Sequence, residues 1–255
     1  MLQGLKMGKL KYIAAAFALA ASTPTLAAAL LGDVVKVSDD SINYLYGNYY
    51  GDLHLSGHSA LNDVPAGEFL FKGTDITQHA SFRTTSFCVD LFKEVDEGTY
   101  VIDPLSKIIS NVTKQKQLAA LVTHADSVIL ASTNKNATAV AFQLAIWEVE
   151  YETGTSGYNV ATGRFYANGH EDGALNSFTG QQAEANKYLK YVTNGTWMAS
   201  VNSARLLYSS ESQSQIYAVP TSAIPEPATW LTMILGFGLV GAFVRRRRAM
   251  GFAVA

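Results

Sequence analysis

The chain has almost no cysteine and little charge, and each shortage narrows what it can be. Cys88 stands alone, so an internal disulfide and a CxxC zinc site are both excluded. Charged residues are only 16% of the chain and the formal charge is -2, which leaves no electrostatic footprint for nucleic acid. Basic clusters occur only near the two ends, where a membrane explains them better. There is no internal repeat, no long low-complexity stretch and no glycine-rich phosphate loop. His54, His58, His79, His124 and His170 sit in no recognisable catalytic motif, which sets a cysteine hydrolase far behind other readings. His54 and His58 have HxxxH spacing, but in a Gly-rich segment with no helical pattern, so they read as solvated loop residues rather than a metal pair. No cofactor is implied.

What is present is apolar, at 48% hydrophobic residues, and the two ends account for much of the excess. Residues 1–29 read as a signal peptide. Lys6, Lys9 and Lys11 make a positive start, and Tyr12 to Ala21 is too short an apolar run to span a bilayer comfortably. Ala27-Ala28-Ala29 supplies the small residues that signal peptidase needs, with cleavage after Ala27 or Ala29; Met7 serves equally well as a start.

The C-terminal end has three parts in order. Residues 220–227 form a linker that ends in Pro225-Glu226-Pro227, residues 228–244 are uncharged and apolar, and residues 245–255 begin with Arg245, Arg246, Arg247 and Arg248. As a helix the middle part spans about 25 Å, slightly short of a hydrocarbon core of about 30 Å, and flanking residues can make up the difference. The arginines hold its end in the cytoplasm, which places the folded domain outside. Pro225 and Pro227 keep the preceding backbone extended and open to an enzyme. The order of parts, with Ile224 to Trp230 and the Gly-rich run Leu235 to Gly241, resembles the PEP-CTERM sorting signal of Gram-negative bacteria. That resemblance implies an exosortase-like membrane enzyme as partner, in cells that make exopolysaccharide and biofilm, and a membrane-anchored precursor that passes to the cell envelope or matrix.

Residues 30–219 remain as one exported domain, a length that suits a single core. Strands are expected at Val34 to Val37, Ile42 to Tyr46, Glu68 to Lys72, Thr84 to Phe92 and Thr99 to Ile102, where β-branched and aromatic residues alternate with turn residues. Helices are expected at Thr113 to His124, Ala137 to Tyr151 and Gln181 to Val192 from their apolar spacing. Arg205 to Tyr208 and Gln215 to Val219 read as closing strands. The expected class is α+β: a β-rich domain with a few helices, flanked by the signal peptide and one C-terminal transmembrane helix. Glu148, Glu150 and Glu152 read as the solvated end of the second helix.

An odd cysteine in an exported chain is an intermolecular bridge, a buried bystander or a reactive thiol. Phe87-Cys88-Val89 places it in an apolar strand. Phe142-Gln143-Leu144-Ala145-Ile146-Trp147 places Gln143 on a helix, with Trp147 one turn on and able to shield it. The two segments resemble the bacterial thioester domain, in which a cysteine sulfur attacks a glutamine amide, ammonia leaves and an internal thioester remains. The resemblance implies Cys88 and Gln143 as the bonded pair, Phe87 and Trp147 as its shield, and covalent attachment to amine-bearing targets without catalytic turnover. A structural or carbohydrate-associated matrix module, with Cys88 a buried strand residue, stands as the alternative.

Overall fold

The structure, a computed structural model, describes residues 30–38, 41–169 and 178–220. The expected signal peptide, the Pro225-Glu226-Pro227 motif, the membrane helix at 228–244 and the Arg245 to Arg248 cluster lie outside the described residues. Among the described residues, no helix is long and apolar enough to cross a membrane.

The described strands are β1 (Val34–Val37), β2 (Ile42–Leu55), β3 (Leu61–Asp75), β4 (Ala80–Cys88), β5 (Gly98–Asp103), β6 (Phe165–Gly169), β7 (Ala204–Tyr208) and β8 (Gln215–Ala218). The helices are α1 (Val112–Ala131), α2 (Lys135–Tyr151) and α3 (Gln182–Thr193). The β-rich character expected from the sequence is present. All pairings are antiparallel. The order β1-β5-β7-β8-β4-β3 returns to β1 through a β1–β3 pairing, so these six strands close into a barrel; β2 and β6 continue outward from β3. Closure leaves those six without a free edge over the paired stretch.

The length of β3 makes both arrangements possible. Its last residues pair with β4 on one side, from Phe69↔Ser86 to Asp75↔Ala80, and Thr74 and Asp75 also pair with β1. Its first residues pair only with β2, across three register shifts. Gly47 and Gly67 lie against each other at one shift, where a Cβ on Gly67 would stand 2.4 Å from the Tyr46 carbonyl oxygen. Only glycine permits backbones that close.

Each long helix begins on an asparagine whose side chain accepts from the first free N–H groups. Asn111 takes those of Thr113 and Lys114, and Asn134 takes that of Ala137. Helix α3 is amphipathic, with Ala185, Tyr188, Leu189 and Val192 buried as expected. Helix α2 is different: every residue from Thr138 to Val149 is buried. It runs against α1, α3, β2 and β3, so it is a core helix with no solvent face along most of its length.

That burial corrects one expectation. Glu148 is only 1% exposed, and its Oε1 accepts from the Asn159 N–H at 2.7 Å. Burial pushes its carboxyl up to about 7. Glu150 has a buried Oε2 without a partner, and burial, then the nearby Asp90, pushes its carboxyl well above the usual range. The Glu152 carboxylate accepts from the N–H groups of Thr153 and Arg164. Glu148 is built into the domain because the chain after α2 folds back over that end, and Glu152 holds the returning chain from a partly exposed position. His54 is likewise no loop residue. It lies on β2, stacked on Tyr166 at 4.4 Å between ring centroids, whereas His58 is exposed in the turn after β2, as expected, with its ring against Phe92.

Candidate functional site

Cys88 is the last residue of β4, at one end of the barrel. Phe82, Thr84, Ser86 and Cys88 share one face of this strand by the two-residue period. The Phe82 ring meets Tyr217 of β8 edge to face, at 6.1 Å between centroids, so this face looks into the barrel together with Gln215 and Tyr217. Phe87 points the other way, against Phe142 of α2 at 6.2 Å. Phe87, expected to shield the bond, packs in the helix–strand contact behind the cysteine and does not cover the sulfur. Trp147 is 1% exposed, buried one turn beyond Gln143.

The two sides of Cys88 are held differently. The β3–β4 ladder ends at Ser86, leaving the backbone of Cys88 without a strand on that side. Gln143 fills the place. Its Oε1 accepts from the Cys88 N–H at 2.9 Å, and its Nε2 donates to the Cys88 carbonyl at 2.8 Å. A side-chain amide thus does what a neighbouring peptide would do. Gln143 is 0% exposed, and both ends of its amide are engaged with backbone.

On the other side β8 runs antiparallel, with Cys88 directly opposite Gln215. Because the Cys88 backbone groups face Gln143, and the Val89 N–H reaches the Ser214 carbonyl at 3.1 Å, Cys88 and Gln215 form a non-hydrogen-bonded pair. That is the position at which facing Cα atoms approach to about 4.5 Å and side chains come closest. The side chains do meet: Gln215 Nε2 lies 3.4 Å from Cys88 Sγ. Gln215 Oε1 accepts from Ser86 Oγ at 3.4 Å.

Gln213, two residues earlier on the same face, completes the cluster. Its Oε1 accepts from the Cys88 thiol at 2.6 Å and from Gln215 Nε2 at 3.2 Å, and its Nε2 donates to the Asp90 carbonyl at 2.6 Å. Cys88 is 2% exposed and Gln215 0%. Burial pushes the Cys88 thiol up to about 12; a hydrogen bond from Gln215 opposes the rise and the charge of Asp90 adds to it. The sulfur is a neutral thiol at neutral pH, surrounded by neutral amides.

The structure thus brings Cys88 and Gln143 together, but through backbone. The two glutamines that touch the sulfur, Gln213 and Gln215, were not singled out from the sequence. Their only signal there is polar residues at alternate positions beside Ile216 and Tyr217, and without knowing that β8 lies next to β4 that signal points nowhere. Among the described residues no group of three or more His, Cys, Asp or Glu side chains is placed to hold a metal ion.

Residues 223–248 match the PEP-CTERM protein-sorting motif, and the chain carries that sorting signal. The motif marks an exported protein processed at the membrane by exosortase, a membrane enzyme. No curated protein matches the chain. Among solved structures, it is similar to the thioester domain of the Staphylococcus aureus TIE protein, at 11% identity and a TM-score of 0.38, covering 73% of this chain and 78% of that one. It is also similar to the N-terminal domain of the Streptococcus pyogenes pilus tip adhesin Cpa, at 13% identity and a TM-score of 0.38, covering 69% of this chain and 96% of that one.

Proposed function

We propose that the exported domain stores an internal thioester between Cys88 and Gln215, and uses it once to attach covalently to a surface or matrix amine. The observation that carries this reading is the cross-strand pair itself: a thiol facing a glutamine amide at the closest-approach position of an antiparallel ladder. The chemistry balances without a co-reactant. Sγ attacks Cδ of Gln215, the C–N bond breaks, and the S–H proton leaves with Nε2 as ammonia. Gln213 Oε1 holds both the thiol and the departing nitrogen, and Ser86 Oγ–H faces the oxygen on which negative charge develops. Gln143 is then a positioning residue that fixes the cysteine backbone. Burial serves the stored bond twice: it excludes water, the competing nucleophile, and it makes the high-pKa thiol a reluctant leaving group until the site is opened.

Intact mass decides the reading. The purified chain should weigh less than its sequence by one ammonia, and methylamine should add at Gln215 while freeing a thiol at Cys88. An unshifted mass, with a fully titratable thiol after unfolding, would leave a structural matrix module with a buried cysteine. Methylamine found on Gln143 would restore the pair implied by the resemblance to thioester domains.

The sorting signal has its own test. Each arginine of the Arg245 to Arg248 cluster costs about 2.5–3.5 kcal/mol at the centre of a membrane helix on insertion scales, so the helix stops there with Pro225-Glu226-Pro227 at the outer interface. Changing Pro225, Glu226 and Pro227 to alanine should leave insertion intact and block maturation in an exosortase-bearing host, read by fractionation. Normal release of that variant would reduce the tail to an anchor.

A further inference from the structure

Cys88 and Gln215 are buried, so an amine reaches the bond only if something above it parts. What lies above is a pair of loops, 89–97 after β4 and 209–214 before β8. They are clasped by backbone, where the Gln213 N–H donates to the Glu94 carbonyl at 2.8 Å, and by Gln213 Nε2 on the Asp90 carbonyl. The third clasp is a charge. The Lys93 ammonium lies 3.5 Å from Asp90 Oδ2, and donates to the carbonyls of Ser209 at 3.3 Å and Ser210 at 3.1 Å. A primary ammonium is thus already seated in a cradle of one carboxylate and two carbonyls. That cradle spans both loops, and one of its members, Asp90, is two residues from the reactive sulfur.

We infer that the cradle of Asp90, Ser209 and Ser210 is the docking site for the ammonium group of the target amine, and that Lys93 occupies it as an internal stand-in which keeps the loops closed. The inference rests on the thioester reading above. An incoming lysine side chain or amino sugar carries the same group as Lys93 and competes for the same three oxygens. Displacing Lys93 breaks the hydrogen bonds that tie its loop to the Ser209 and Ser210 carbonyls, and seats the new amine on Asp90, two residues from Cys88. The ammonium first gives one proton to solvent; its neutral nitrogen then attacks Cδ of Gln215, the C–S bond breaks, Sγ takes up a second proton from that nitrogen, and an amide joins the two partners. Asp90 and Lys93 are about a quarter and a third exposed, so the tie is of the weak surface kind that a competitor can replace.

The test uses the full chain purified in detergent, with intact mass read first. Thioester opening is then followed with cadaverine, a cationic amine, and with hydroxylamine, which is neutral near pH 7.5. Lys93→Met should open about two- to fivefold faster with both, as expected for losing one exposed ion pair, with the larger gain for cadaverine. Lys93→Arg, which keeps the cation, should stay near wild type. Adding Asp90→Asn to Lys93→Met should lower the cadaverine-to-hydroxylamine ratio by a similar factor. If wild type lacks no ammonia, the thioester reading falls and the cradle with it. If the ammonia is missing but Lys93→Met reacts at the wild-type rate, or the ratio ignores Asp90→Asn, the cradle alone is overturned.

Discussion

Cys88 has a helix side and a strand side, and the contrast between them separates holding from reacting. On the helix side Gln143 spends both ends of its amide on the Cys88 backbone. On the strand side Gln215 spends both ends of its amide on side chains, the sulfur, Gln213 and Ser86, while Gln213 splits its own between those side chains and the Asp90 carbonyl. All three are the same residue type in the same neutral surroundings. What distinguishes Gln215 from Gln143 is the ladder: a residue directly across the β4–β8 pair meets a side chain, while a residue at the end of the β3–β4 ladder meets backbone.

The largest expected effect tests that division directly. Gln215→Ala should abolish the loss of ammonia altogether, with no amine uptake. Gln143→Ala should do something else. It leaves a buried N–H and a buried carbonyl without partners, a cost on the order of 2–4 kcal/mol, or a fall in melting temperature of roughly 5–15 °C for a domain of this size. The ammonia should still be lost in the molecules that fold. Intact mass and thermal melting on the two variants give opposite patterns if the division is right. If Gln143→Ala keeps its stability and loses the mass shift, the roles are exchanged.

The same contrast explains what could be read from the sequence. Local features were legible. The strand Val34–Val37 was expected with those bounds, the three helices were found within a few residues except at the end of α1, and α3 shows its apolar face plainly. The strands β2 and β3 were expected far shorter than they are, because Gly47, Gly51, Gly67 and Gly73 interrupt the alternation; in the structure these glycines lie within the ladder, where backbone or an aromatic ring comes too close for a Cβ. Strand β6 was missed, since its five residues have no pattern of their own and pair only with β2. At the site, the residues named from local motifs, Cys88 and Gln143, do meet. The residues named by topology, Gln213 and Gln215, were invisible: which strand borders β4 is a property of barrel closure, and no short window encodes it. The acids of α2 failed for a related reason. A helix end reads as solvated unless one knows that the chain returns over it, as it does where the Asn159 and Arg164 N–H groups reach Glu148 and Glu152.

A second helix–sheet contact sharpens the comparison with the smallest expected effect. Where α2 meets β4 through a neutral amide, α1 meets β3 and β4 through carboxyls. Glu68 of β3 is 1% exposed, and its Oε1 has no partner. Asp126 of α1 accepts from Thr85 Oγ1 at 3.1 Å. Burial, followed by the neighbouring Asp126, pushes the Glu68 carboxyl up to about 9. The sign follows from linkage. In the unfolded chain Glu68 ionises near its ordinary value of 4.5, while in the folded protein it keeps its proton until about pH 9. Its contribution is therefore most favourable below the unfolded value and is lost progressively as pH rises through that window. Glu68→Gln removes the titration and keeps a hydrogen-bonding side chain of the same shape. It should raise stability at pH 8 by on the order of 1–3 kcal/mol, and by little at pH 5. Gln143 carries no proton to lose, so the Gln143→Ala deficit should be the same at both values. Denaturant melts of the two variants at pH 5 and pH 8 check this, and a Gln143→Ala deficit that varies with pH while Glu68→Gln does not would reverse the assignment of which helix contact is charged.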